Sequence, residues 1–286
     1  MKIKPVCFPC AMNFALRTMK FVGEEDNTEL MIKVVKGISS MEPDKTPAHM
    51  GTLISRIIRS GTGKDDPYLD EKRKENRIAL EVYPLLKEYV RHAEDPLAAA
   101  LKVSALGNAI DLGVSGEIHL DFERLEEELH FDFRKNEIEV FRERLKHADS
   151  LLLIADNSGE IIFDRVLLEE ITGLKRMVAV KSGPVINDIT IRDVYGTGIE
   201  EIAQIVETGS DSLGIIMEEV SEAFRRILYD VDIVIAKGHA NTETLVDIDR
   251  EVFFLLRAKC DYVAEYMGVK KYDYVFERGR KRINRL

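Results

Sequence analysis

The chain is poor in the features that mark specialised protein classes. Three cysteines in 286 residues (Cys7, Cys10 and Cys260) are too few, and odd in number, for a disulfide-stapled secreted domain. Eighteen glycines and eight prolines exclude a collagen-like or low-complexity chain. The clearest apolar runs, residues 151–155 and 252–256, have strand length and fall far short of the ~20 residues of a membrane span. The start, Met1-Lys2-Ile3-Lys4-Pro5, lacks the apolar stretch of a secretory signal, and no Asn-x-Ser/Thr acceptor occurs. The expectation is a soluble, cytoplasmic protein with no membrane partner. Cations are also in deficit, and the net charge of −10 argues against a nucleic-acid partner, whose phosphates need neutralising. Net charge describes only the exterior, because a local cation or metal can dominate the field in one cleft.

What the chain does have is enough apolar material, 45% of residues, for a large α/β domain or two smaller ones. Its first half reads as helices. Residues 70–92 carry apolar side chains near helical period, with a kink or break expected at Pro84. Asp95-Pro96 opens a second helix that Gly107-Asn108 ends, and residues 30–38, 122–129 and 138–145 share the pattern. No comparable strand-like pattern precedes residue 150. Beyond it, short Val-, Ile- and Leu-rich runs at 151–155, 177–180, 202–206, 233–236 and 252–256 alternate with helix-patterned segments at 161–171, 217–228 and 259–267. A further strand is expected at 274–276. Such alternation implies an α/β fold with a doubly wound, mostly parallel sheet over residues 149–286 and an all-helical N-terminal region over 1–148.

Ligands of such sheets bind beyond the carboxyl ends of the strands, so the residues that follow each strand carry the information. After the first come Asp156-Asn157-Ser158-Gly159-Glu160, with Asp164 a turn further on. Carboxylate and amide oxygens are hard ligands suited to Mg²⁺ or Mn²⁺, with Co²⁺ or Ni²⁺ also accommodated. Asp188, after the second strand, is the best-placed further carboxylate, ahead of Asp193. The plain alternative makes Asp156 or Asn157 a helix N-cap. Lys237-Gly238-His239-Ala240-Asn241 follows the fourth strand and fits phosphate recognition, although strand-end Lys-Gly pairs are common turns. Cys7-Phe8-Pro9-Cys10 has the spacing of a redox pair or half a zinc site, against the simpler reading of buried thiols. Gly107-Asn108-Ala109-Ile110-Asp111 reads first as a helix C-cap, and no function is assigned to the basic tail at Arg278, Arg280, Lys281, Arg282 and Arg285.

Taken in order, the Asp156–Glu160 segment with Asp164, the run Pro184-Val185-Ile186-Asn187-Asp188 and the Lys237–Asn241 segment resemble the damage-control phosphatase family, formerly domain of unknown function eighty-nine. Cys7-x-x-Cys10, Asp66-Pro67-Tyr68 with Lys72 and Asn76, and Gly107-Asn108-x-x-Asp111 fit its stand-alone prokaryotic branch. The resemblance implies a divalent-metal-dependent phosphatase of small phosphorylated metabolites. Its metal triad falls on Asp156, Asn157 and Asp188, and its substrate phosphate on Lys237 and Asn241. Ser158, Glu160, Asn108 and Asp111 complete the implied substrate-binding set, and eukaryotic relatives carry an acidic residue where this chain has His239. The expected chemistry is attack by metal-activated water, with Mn, Co, Ni or Mg as cofactor. A phosphoaspartyl route of the haloacid-dehalogenase type would want a second Asp at the position of Ser158. The rival readings are an S-adenosylmethionine-dependent methyltransferase, which would want a Gly-rich turn after the first strand, and a non-catalytic binding module.

Overall fold

The computed structural model describes residues 1–108 and 122–279; Asp111 and the tail residues Arg280, Lys281, Arg282 and Arg285 lie outside the described residues. Helices α1 (Cys7–Phe21), α2 (Thr28–Ser39) and α3 (Pro47–Thr62) pack around their own core, in which Leu30, Val34 and Ile38 meet Ile54 and Ile58. Local chemistry defines their ends. The Asn27 side chain accepts from the Leu30 amide at the start of α2, and Thr46 with Pro47 opens α3.

Helices α4 (Leu69–His92), α5 (Pro96–Gly107), α6 (Phe122–Leu129) and α7 (Ile138–Leu145) follow. The break expected at Pro84 does not occur, and α4 runs through it. Pro84 is on the exposed side, where water can serve the carbonyl it frees, while Ala79, Val82, Leu86 and Val90 hold the opposite stripe in the core. Among the described residues one strand does precede residue 150: β1 (Lys135–Asn136), too short for any pattern to reveal it.

The remaining strands are β2 (Ser150–Ile154), β3 (Lys175–Val180), β4 (Gln204–Glu207), β5 (Ile233–Lys237), β6 (Val252–Arg257) and β7 (Tyr274–Gly279). They form one sheet in the order β1-β7-β6-β5-β2-β3-β4, with every pairing parallel except β6 with β7. Its two faces follow strand periodicity. Leu151 and Leu153 join the core under α4, α5, α7 and α8 (Glu160–Glu170), whereas Leu152 and Ile154 join the core under α9 (Glu222–Asp230), α10 (Gly238–Leu245) and α11 (Asp261–Met267). Strand β2 lies between β3 and β5, with Leu153 opposite Val178 and Ile235. The winding reverses there, so β2 and β5 end at the topological switch point, where α/β sheets bind ligands. Helix α10, which begins directly on leaving β5, occupies the segment expected as a loop.

No helix among the described residues is long and apolar enough to cross a membrane. Because Leu153 is fully buried on the central strand, Leu153→Ala should lower the unfolding free energy by about 2–5 kcal/mol in urea titrations. A loss below about 1 kcal/mol would show that this strand is not the centre of the core.

Candidate functional site

Two loops are stitched together beyond β2 and β3. The Ile189 amide donates to the Asp156 carbonyl (3.0 Å) and the Ser158 amide to the Asn187 carbonyl (2.9 Å), forming an antiparallel bridge between Asn157 and Asp188. The adjacent Asp156 and Asn157 and the sequence-distant Asp188, candidates for one ligand set, are thereby brought together. The turn is tight enough to hold Ile186 at φ 39°, a conformation that β-branched residues rarely adopt and that functional loops commonly store as strain. From the other side, β5 enters α10 through Gly238 at φ 73°, where a Cβ would lie 1.9 Å from Asp156 Oδ2. Only glycine permits that approach.

A buried charge network underlies this surface. Lys237 Nζ is fully enclosed and donates to Glu160 Oε1 (2.6 Å), Asp164 Oδ1 (2.5 Å) and the Ser104 carbonyl (3.0 Å), which uses all three of its donors. Burial works against the charge on Glu160, but Lys237 and the Asn108 amide outweigh it and hold the carboxyl below its ordinary range. The other Glu160 oxygen accepts from Asn108 Nδ2 and Asn157 Nδ2, both at 3.0 Å. The same two amides reach Asp156 Oδ2 at 2.9 and 3.1 Å. With their nitrogens so committed, both asparagines are left with the carbonyl oxygen to offer.

Carboxylates outnumber ammonium groups here. Asp156, Glu160, Asp164 and Asp188 are buried beside Lys181 and Lys237. Burial first and then Glu160 push Asp156 up to about 6, and burial also lifts Asp164 to about 6. Asp188 is raised well above the usual carboxylate range by burial, against the pull of Lys181 at 3.7 Å. Asp188 Oδ2, Asn108 Oδ1 and Ser158 Oγ are buried without a hydrogen-bond partner. A cation would satisfy this set, since it meets orphaned hard oxygens and offsets surplus buried negative charge. No cluster of three or more His, Cys, Asp or Glu side chains with metal-site geometry exists among the described residues, and the triad is two Asp and one Asn.

The triad opens onto a cavity of about 550 Å³. Asn108, Ser158, Asn187, Glu75, His239 and Lys259 line it near the triad, and residues of α1 and α3, together with Leu213, Glu243, Asp261 and Tyr262, line the rest. Cys7, Cys10 and Cys260 are all free thiols on this wall. Lys237, Asn241 and Glu160 do not line it. Asn241 Nδ2 instead donates to the carbonyls of Ala155 (3.2 Å) and Lys237 (2.7 Å), tying α10 to the end of β2. Asp193 is also removed from the triad, accepting from Lys72 Nζ at 2.5 Å and from the Thr190 hydroxyl. Asn76 braces the site by accepting from the Gly159 amide (2.6 Å) and donating to the Asp193 carbonyl (3.1 Å).

Sequence reasoning missed Lys181, Glu75 and Lys259. Lys259 is exposed, two residues beyond β6 at the same sheet edge, and a position after the strand was the signal that could have found it. Glu75 belongs to α4 and accepts from Asn187 Nδ2 at 3.3 Å, a contact between distant segments that leaves no local signature.

A family model of the damage-control phosphatase ARMT1-like domain matches residues 3–275. A damage-control phosphatase of Archaeoglobus fulgidus is 34% identical, over 96% of this chain and 98% of that protein. One from Pyrococcus horikoshii is 33% identical over 95% and 96%, and an uncharacterised protein of Methanocaldococcus jannaschii is 36% identical over 96% and 94%. The crystal structure of a DUF89 family protein from Pyrococcus horikoshii superposes with a TM-score of 0.91 at 31% identity, covering 98% of this chain and all of that one. These likenesses support phosphatase chemistry. The methyltransferase alternative is not favoured, and the turn after β2 carries a single glycine, Gly159.

Two outcomes follow from the buried groups. Lys237→Met leaves Glu160 and Asp164 without their counter-charge and should cost about 3–5 kcal/mol in urea unfolding. A solvent-facing phosphate ligand would leave stability within about 0.5 kcal/mol, and that result would refute the structural role. His239 Nε2 accepts from the Lys259 amide (2.8 Å), and burial followed by the Lys259 charge lowers its pKa to about 4. Unfolded histidine titrates near 6.5, so protonation favours the unfolded chain. Its contribution to stability is complete above about pH 6.5 and is lost as pH falls toward 4. Between these values stability should fall more steeply with decreasing pH in the parent than in His239→Gln. Equal slopes would rule out the linkage.

Proposed function

The chain belongs to the damage-control phosphatase family carrying the ARMT1-like domain, and from that premise we propose that it is a divalent-metal-dependent phosphatase of small phosphorylated metabolites. The reading takes in sugar phosphates and related phosphoesters, chemically damaged ones included, without ranking them, and the cytoplasm is the setting. The observation that carries it is the Asp156–Asn157–Asp188 arrangement at the switch point, with the buried Asp188 Oδ2 lacking a hydrogen-bond partner.

Asp156, Asn157 and Asp188 would hold the cation, and their oxygen donors suit Mn, Co, Ni or Mg. Bound there, it would supply a Lewis acid for the phosphoryl oxygens and a water acidic enough to attack phosphorus. Asn157 is oriented for this by Glu160, which takes its amide nitrogen. Lys237 acts one layer below as a positioning residue, since its donors are spent on Glu160, Asp164 and Ser104. That leaves Lys259, exposed on the cavity wall, as the cation that meets the incoming phosphate. Ser158 Oγ and Asn108 Oδ1 have free hydrogen-bonding capacity for the substrate. Asp111 enters this reading on the family resemblance alone.

Phosphate release should be measured over a panel of phosphometabolites with Mn²⁺, Co²⁺, Ni²⁺ and Mg²⁺ in turn. The expected result is release that stops with a chelator and falls roughly 10²–10³-fold in Asp156→Ala and Asp188→Ala, as for loss of a preorganised electrostatic group. Release that persists through both treatments would overturn the assignment.

A further inference from the structure

The polar end occupies only part of the cavity, and the remaining wall has a different character. Much of it is apolar and comes from one face each of α1 and α3, with Ile186 and Leu213 beside them and Glu243, Asp261 and Tyr262 at its margin. Cys7, Ala11 and Phe14 lie at i, i+4 and i+7 of the first, and Met50, Gly51 and Ile54 at i, i+1 and i+4 of the second. No Asp, Glu, Lys or Arg from either helix reaches this wall among the described residues, although both helices carry charges on their other faces. The two regions belong to one cavity of about 550 Å³, within the range of sites that enclose most of a drug-sized ligand. At its polar end lie buried, unpartnered oxygens of Asn108 and Asp188.

We propose that the apolar wall of α1 and α3 receives the alcohol portion of the substrate, so that the preferred phosphoesters carry an extended apolar arm of several carbons. This rests on the phosphatase reading, which puts the phosphoryl group at the acidic end. Against the α1 and α3 faces a polyhydroxylated sugar would lose water from its hydroxyls and find no charged side chain in return, whereas methylenes gain by leaving water. The wall thus selects among phosphoesters by what lies distal to the ester oxygen, and the acidic end treats them alike.

The test uses the intact protein and two matched series. Non-hydrolysable n-alkyl phosphonates, ethyl to hexyl, are titrated calorimetrically in the presence of Mn²⁺, and n-alkyl phosphates of the same lengths are assayed for phosphate release. Phosphonate Kd should fall about fourfold per added methylene, equivalent to about 0.8 kcal/mol, and kcat/KM should rise in parallel. Phe14 is only partly buried, so Phe14→Asp should fold and flatten both slopes, and Phe14→Leu should restore them. Thermal melts establish that both variants are folded, and the slopes of the parent protein decide the matter if either is not. A phosphonate Kd independent of chain length, or no phosphonate binding, overturns the apolar arm. Chain-length-dependent binding without turnover of any alkyl phosphate or phosphometabolite retains the arm and overturns the phosphatase reading instead.

Discussion

A single buried ammonium group organises the carboxyl edge of the sheet. Lys237 spends every donor it has on Glu160, Asp164 and the Ser104 carbonyl, in a place closed to water. Removing such charges from solvent costs several kcal/mol per ion, and only close pairing with full hydrogen bonding repays it. Once Glu160 is held as an anion, it can take the amide nitrogens of both Asn108 and Asn157. Those amides also converge on Asp156 Oδ2, so one strand-end lysine orients side chains at the end of α5, on the β2 loop and at the start of α8. The network explains why polar residues are tolerated at the centre of an otherwise apolar fold: each is held by the next, and the remaining oxygens face the cavity or lack partners.

The helical half of the chain contributes rigidity to the same edge. Arg59 of α3 donates to the Pro184 carbonyl and pairs with Asp211, which also pairs with Arg56. Lys72 and Asn76 of α4 hold Asp193 and the Gly159 amide. These contacts grip both ends of the strained segment around Ile186 that delivers Asp188. Backbone strain persists only where its surroundings over-determine it, and two helices from the first half of the chain do so here. One apolar core joins α4, α5 and α8 to the sheet, so the helices and strands share the scaffold of the site.

The strands were legible because a doubly covered parallel sheet needs continuous apolar runs, and those at 151–155, 177–180, 233–236 and 252–256 all became strands. The meeting of Asp156 and Asn157 with Asp188 was legible because both segments leave the carboxyl ends of neighbouring strands, β2 and β3. Helix α10 was not, since Gly238-His239-Ala240-Asn241 has the composition of a turn and its helix is stabilised by packing beneath α3 and beside β6. The direction of Lys237 was readable but went unread. Ile233 and Ile235 face the core under α5 and α8, so the period of two sends Lys237 to that same side, towards Ser104 and Asp164. By the same alternation Ala155 joins Leu151 and Leu153 there, and Asp156 leaves the strand in the opposite sense, towards Gly238. Strand parity therefore separates a residue that supports the site from one that faces the cavity, which proximity in sequence does not. The network around Glu75 and Asn187 was beyond reach, because residues 112 apart meet only through tertiary packing.

The acidic character of the whole chain takes on a different meaning in this setting. Most of its surplus negative charge lies on solvated surfaces, where screening makes it energetically mild. A few carboxylates are instead buried, and burial lifts Asp156 and Asp164 both to about 6. A protein that needed only stability would have no use for that surplus, since hydrophobic replacements at such positions are commonly neutral or stabilising. Its place at the switch point, beside unpartnered oxygens, agrees with the proposed cation and anionic ester. A cation among these carboxylates would offset the electrostatic penalty that their burial carries.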